Sequence, residues 1–261
     1  MKSKFIFWLK KISFLALLLL VFSCASRKNV VYYQNIDSLE NQNQNSYEVK
    51  IQPDDLLMII VSADDPEAAI PFNLKTYSIS SNKLDMTRGQ ETVQTYLVDS
   101  KGNIEFPIVG DIKIGGLTRT EALQLLQSKI AAYIKKPIIN LRITNFKVSL
   151  QGEVNLPGTY NVNSERITLI EALSMAKDLT IYGKRDNILV IRETNGIKSY
   201  NRVNITQSDF INSPFYYLAQ NDVVYVEPNK TKVNASAVGP NTSVIISAVS
   251  ILVSLAVLIF K

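Results

Sequence analysis

The 261-residue sequence predicts an α+β chain, two small β-rich units set between an apolar N-terminal run and an apolar C-terminal helix. Three observations predict it. A 22-residue segment recurs at an offset of fifty. Short runs of alternating apolar and polar residues flank turns rich in Gly, Asp and Asn. The last twenty residues, TSVIISAVSILVSLAVLIFK, carry no charge before Lys261.

Taken in order, MKSKFIFWLKK is a basic run and ISFLALLLLVF an apolar one, too short to span a bilayer comfortably. They lead to Ser23-Cys24, the only cysteine. The pattern resembles a bacterial lipoprotein signal over 1–23, with a covalent lipid expected on Cys24. The next two residues, Ala25-Ser26, are not acidic, which in that class of protein favours the outer membrane. Residues 24–46, rich in Asn, Gln and Ser, are expected to be a lipid-anchored flexible tether.

The first unit is expected over 47–145. It opens with YEVKIQPDDLLMIIV, in which Asp54-Asp55 marks a turn before a β-rich run. The segment Pro66–Thr95 is polar, lacks strong periodicity and is expected to be an inserted surface loop. GNIEFPIVGDIKIGGLTRTEAL then starts at Gly102, and GEVNLPGTYNVNSERITLIEAL at Gly152. The two align without a gap, as one supersecondary unit used twice. Alternation on either side of Ser100-Lys101-Gly102 predicts a hairpin. Pro107 and Pro157 end its second arm, because proline cannot donate to a ladder. Thr118-x-x-Glu121 and Thr168-x-x-Glu171 are capping boxes that start helices. The first helix should bury Ala122, Leu125, Leu126, the Lys129 stem, Ile130 and Tyr133, and Pro137 should close it. IINLRI and NILVIR return as strands.

The second unit is expected over 146–228. It ends with YLAQNDVVYVEP, an echo of the opening of the first. Asn221-Asp222 stands where Asp54-Asp55 stood, and the residue before each second Asp is expected at positive φ. A linker over 229–241 contains Gly239-Pro240. A transmembrane helix is expected over 242–260, with Asn241 or Thr242 as its cap. Ser243, Ser247, Ser250 and Ser254 fall on one stripe of that helix. They are candidates for lining a pore or for close packing between copies. Alternatively each bonds the carbonyl four residues before it.

Composition excludes several functions. There is no histidine, which removes Ser-His-Asp and Cys-His catalysis and imidazole metal sites. No Gly-x4-Gly-Lys-Ser/Thr loop is present. The net charge of +5 lies largely in the signal. Without Lys2, Lys4, Lys10 and Lys11, 24 basic residues face 23 acidic ones, too balanced for a nucleic-acid groove. Glu121 and Glu171 read as caps rather than as a catalytic pair, and Asp54-Asp55 and Asp64-Asp65 as turn residues. Tyr32-Tyr33 and Tyr216-Tyr217 could stack on sugars, although aromatic residues in strands more often serve cores or contacts.

Tyr47, Pro53-Asp54-Asp55-Leu56, YLVDSKGNIEFPIVGDIKIGGLTRTEA and VSLQGEVNLPGTYNV…ITLIEALSMA together resemble the outer-membrane polysaccharide export family. The resemblance implies a polysaccharide export domain followed by a β-grasp-like soluble-ligand-binding (SLBB) domain. Two places depart from the family pattern: its Pro-Gly-Asp is Pro53-Asp54-Asp55 here, and its Ala-Gly-Gly is Ala176-Lys177-Asp178. It further implies a lipoprotein in the outer membrane, with its soluble domains in the periplasm. Such proteins form rings of identical subunits, commonly eight, whose C-terminal helices build a barrel across the membrane. The implied function is passive export of capsular or extracellular polysaccharide, fed by an inner-membrane co-polymerase or chain-length regulator, without catalysis, metal or cofactor. The alternatives are a periplasmic ligand-binding or scaffold lipoprotein anchored by its last helix, an envelope carbohydrate hydrolase, and a variant with the helix in the inner membrane.

Overall fold

The computed structural model describes residues 27–38, 48–79, 89–194, 196–237, 239 and 242–259. The expected signal, Cys24 and part of the tether lie outside them.

The fold is α+β, with two hydrophobic cores. In the first unit β1 (Leu56–Ser62) alternates inward and outward side chains. It is followed by a short helix α1 (Pro66–Ala69), a hairpin of β2 (Lys75–Ile79) and β3 (Gly89–Val93), and β4 (Thr95–Leu97). Next come β5 (Asn103–Phe106), β6 (Gly110–Lys113), helix α2 (Arg119–Ile130) and β7 (Ile138–Ile143). β1 is the centre of an antiparallel sheet of order β4-β1-β7. Ile51, Leu57, Ile59, Phe106, Leu126 and Leu141 are among the buried residues of this core.

The second unit has β8 (Lys147–Gly152), β9 (Gly158–Asn161), β10 (Ile167–Thr168), helix α3 (Leu169–Met175), β11 (Gly183–Thr194), β12 (Ile197–Val203), β13 (Tyr217–Leu218) and β14 (Val223–Pro228). Its main sheet has the order β12-β11-β14-β8-β9, with β14 parallel to β8 and the other pairs antiparallel. Val148, Leu150, Leu173, Ile188, Val190 and Val224 are among its buried residues. The cores meet at the connection between β7 and β8, where Ile143 packs against both.

Both capping boxes form. The Thr118 and Thr168 hydroxyls accept the backbone N–H of Glu121 and Glu171, and each glutamate accepts its threonine's N–H. Gly102 and Gly152, identical across the repeat, both have positive φ. At Gly152 an added Cβ would lie 2.1 Å from the carbonyl oxygen of Val226 on the neighbouring strand.

Several expectations are corrected. Residues 66–95 are not a bare loop. Asp65 accepts the Glu67 N–H and Pro66 takes the first turn of α1. The Phe72 ring that follows is buried against Phe106. The turn over Ser100-Lys101-Gly102 forms, tied by Asp99 to the N–H groups of Lys101 and Asn103, and its arms share the bond from the Asp99 N–H to Asn103 O at 2.8 Å, but they build no ladder beyond it. β1 recruits β4, and β5 pairs across Pro107 with β6. α2 ends at Ile130, well before Pro137. Leu125 packs only partly buried against the first core, while the Lys129 and Tyr133 side chains stay exposed.

Residues 27–38 are docked rather than loose. The Tyr33 and Gln34 N–H groups donate to the carbonyls of Ile205 and Thr206, and the Tyr33 ring packs on Phe210 at 5.6 Å. Two tyrosines in a polar segment supply the apolar area that holds it. The expected linker is partly helical. α4 (Lys230–Ala237) starts where the Lys232 N–H donates to Asn229 Oδ1.

The last helix, α5 (Thr242–Ile259), has 18 residues, about 27 Å at 1.5 Å per residue. The sequence predicts a membrane-spanning helix here. Among the described residues, however, no helix is long and apolar enough to cross a membrane. The described length is a few ångström less than the hydrocarbon core of an average bilayer, about 30 Å thick.

Candidate functional site

The two Asp turns are built alike. Asp54 and Asn221 have φ of 68° and 64°, as their places before a second Asp predict. Asp55 Oδ2 accepts the Gln52 N–H at 2.8 Å, and Asp222 Oδ2 accepts the Ala219 N–H at 2.8 Å. Both carboxylates are 0% exposed. A polar clamp joins the turns. Asn145 Nδ2 donates to Asp54 O, its Oδ1 accepts the Leu56 N–H, and its carbonyl accepts Gln220 Nε2. Gln220 Oε1 in turn accepts the Lys147 N–H. The junction between the units is thus set by hydrogen bonds of fixed direction.

The two carboxylates differ in electrostatics. Asp222 is paired with Arg192, whose Nη2 lies 2.6 Å from Oδ2. Arg192 also donates to Tyr217 O and packs over the Phe215 ring. Burial raises the Asp222 carboxyl above its ordinary value, and Arg192 and the Ala219 N–H offset only part of that rise. Asp55 has no such cation, and its Oδ1 has no hydrogen-bond partner among the described residues. Burial pushes it up to about 6; the Gln52 N–H and the Gln220 amide oppose this, and the Asp54 charge adds to it.

Beside the junction is a cleft of about 450 Å³. Its walls are the start of α2, the end of β7 and the loop between β9 and β10. Arg119, Arg142 and Arg166 line it, with Glu48 and Glu165. The sequence gives little notice of this cluster, because its cations stand singly and far apart. The one signal is Arg142 within the otherwise mostly apolar run IINLRI.

Cys24 lies outside the described residues. Ser243, Ser247, Ser250 and Ser254 all lie on α5. Ser250 Oγ donates to Ile246 O at 2.8 Å and Ser254 Oγ to Ser250 O at 2.9 Å. Glu121 and Glu171 stand on separate units, each spent on its cap. Tyr32 donates to Asp178 Oδ1 at 2.7 Å; burial, then Asp178, pushes its phenol up. Tyr216 packs between Phe210 and Tyr217. Among the described residues no group of three or more His, Cys, Asp or Glu could hold a metal.

The family departures fall where the backbone is left-handed. Asp54 is one. Lys177 and Asp178, in place of the family's Gly-Gly, have φ of 58° and 65°.

Residues 43–144 match the family model described as polysaccharide biosynthesis/export protein. The chain is 31% identical over 201 residues to the EPS I polysaccharide export outer membrane protein EpsA of Ralstonia solanacearum, covering 74% of this chain and 52% of that protein. It is 34% identical over 148 residues to the protein of the same name in Ralstonia nicotianae, covering 55% and 38%. The chain therefore spans about half the length of these relatives or less. Residues 43–144, the unit that carries the Pro53-Asp54-Asp55 turn and the first capping box, thus match the polysaccharide biosynthesis/export family, and the two relatives carry polysaccharide export names.

Proposed function

We propose that this protein is one subunit of an oligomeric outer-membrane conduit for a capsular or extracellular polysaccharide. The observation that carries the reading is the surface of α5. Its described large apolar side chains, from Val244 to Leu258, are each between 52% and 77% exposed. At about 25 cal/mol per Å², such a surface calls for lipid on one side and copies of itself on the other. The helix is short for an average bilayer, but the bacterial outer membrane is thinner than average. A ring of copies would turn the Ser243, Ser247, Ser250 and Ser254 stripe inward. The family match over residues 43–144 and the names of the Ralstonia relatives support polysaccharide as the cargo and the outer membrane as the place.

In this reading a lipid on Cys24 holds each subunit to the inner leaflet. The export and SLBB-like units face the periplasm and receive polymer from an inner-membrane co-polymerase. Transport is passive and needs no cofactor. A second reading is a scaffold lipoprotein with a lone anchor helix. It is favoured by Ser250 and Ser254, whose hydroxyls already bond carbonyls of their own helix and so need no partner in lipid.

The test uses full-length, detergent-extracted protein and intact cells. The conduit predicts a multi-subunit particle, a tag after Lys261 that is reached from outside, and loss of surface polysaccharide when residues 241–261 are removed. Single subunits together with undisturbed surface polysaccharide would establish the scaffold reading instead.

A further inference from the structure

We infer that the cleft between the two units is a binding site for a carboxylate-bearing sugar unit of an acidic polysaccharide. This rests on the proposed function for its cargo class, but on the cleft's own geometry for its chemistry. The cavity of about 450 Å³ lies within the 300–1,000 Å³ common for small-ligand sites.

Three guanidinium groups line the cleft, and they are held in different ways. Arg119 Nε donates to Leu141 O at 3.0 Å, which fixes the start of α2 against β7. Arg166 is stationed over the Tyr217 ring at 5.0 Å. The Arg142 backbone belongs to the β1–β7 ladder, but its guanidinium has no hydrogen bond or ion pair among the described residues, so its side-chain donors remain for a ligand. Guanidinium groups match a carboxylate with paired, parallel N–H donors, and a planar group held in place loses little freedom on binding. Thr120, Asn163 and Ser164 give the rim hydroxyl and amide groups suited to a sugar ring.

Two acids oppose an anionic ligand, and neither cancels the site. Glu48 Oε1 accepts the Thr120 hydroxyl at 3.0 Å. Glu165 Oε1 sits 3.3 Å from Arg119 Nε, with a side chain 68% exposed. An ion pair that exposed is worth little, so an incoming carboxylate can displace it. Glu165 is thus an internal stand-in, a carboxylate of the same chain resting on one of the arginines that would receive the ligand's.

The proposal makes a pair of predictions of opposite sign. Purified full-length protein in detergent is titrated calorimetrically with a galacturonate trimer, with neutral maltotriose and with inorganic phosphate. The uronate trimer binds, more weakly as salt rises, and maltotriose and phosphate bind at least tenfold more weakly. Arg142→Gln weakens uronate binding at least tenfold. Glu165→Gln tightens it severalfold, because the competing carboxylate is gone. Both substitutions are at the surface, and unchanged thermal unfolding verifies the fold. Equal binding of maltotriose or of phosphate, no binding of the trimer, or variants that shift together in one direction would overturn the site. The conduit is tested separately by removal of residues 241–261. Intact surface polysaccharide after that removal, with uronate binding retained, would strike the conduit and leave the cleft. Absent uronate binding with export lost on the same removal would strike the cleft alone.

Discussion

Replacing Asp55 by Asn should change the stability of this protein by an amount that depends on pH in a specified direction. The Asp55 carboxyl is fully buried, accepts one N–H through Oδ2 and has no partner at Oδ1. Burial first, opposed by the Gln52 N–H and the Gln220 amide and aided by Asp54, raises it from 3.8 to about 6. At about 1.4 kcal/mol per pKa unit, the shift corresponds to roughly 3 kcal/mol. A raised acid holds its proton more tightly in the folded state than in the unfolded one. Between pH 3.8 and 6 the folded state therefore binds more protons, and stability falls as pH rises through that window. Below it the group costs nothing; above it the full cost of about 3 kcal/mol is present.

An asparagine cannot ionise, so the variant lacks this slope. It brings an amide cost of its own, but that cost does not vary with pH. The quantity to measure is the stability of Asp55→Asn minus that of the parent, by urea unfolding of the full chain in detergent from pH 3.5 to 7.5. It should rise by about 3 kcal/mol across the window and then level off. A flat difference would show that Asp55 is not strained when ionised. A falling one would show that it has a cationic partner, and the contrast drawn with Asp222 would collapse.

Three further outcomes follow from the same geometry. Arg192→Leu leaves Asp222 buried without its cation and should cost about 3–5 kcal/mol; adding Asp222→Asn should recover part of it, a coupling that a double-mutant cycle in urea reads directly. Gly152→Ala forces a Cβ to 2.1 Å from Val226 O at a φ of 85° and should lower the thermal midpoint by well over the few degrees that correspond to about 1 kcal/mol, whereas Gly110→Ala, at similar φ with nothing within 4 Å, should cost only the left-handed penalty of about 1–2 kcal/mol. Lys177→Gly relieves a left-handed lysine and should stabilise the chain by about 1 kcal/mol, while Asp178→Gly should not, because Asp178 also receives the Tyr32 hydroxyl.

What was legible in the sequence was local. The capping boxes need only Thr and Glu three residues apart, and the left-handed Asp54 and Asn221 need only a tight turn before a strand. The repeat disclosed two helices and the strands after them for the same reason. Pairing choices between distant segments were hidden. The alternation around Lys101 fits a hairpin, but beyond the turn β4 pairs with β1, where Leu57 stands opposite Tyr96 and both are buried. Nor does the polar text of residues 66–95 announce that Phe72 is a core residue. The arginine cleft is harder still, because three single cations on three different elements meet only after both units have folded and the Asn145–Gln220 clamp has set their angle.

The docking of residues 27–38 bears on where this protein can stand. Arg27 is three positions after Cys24, a reach of at most about 11 Å for extended chain. If acyl chains are attached there, the mooring is a short one. The second unit would ride close against the leaflet, its orientation set by the Tyr32–Asp178 and Tyr33–Phe210 fastenings, instead of swinging at the end of a long leash.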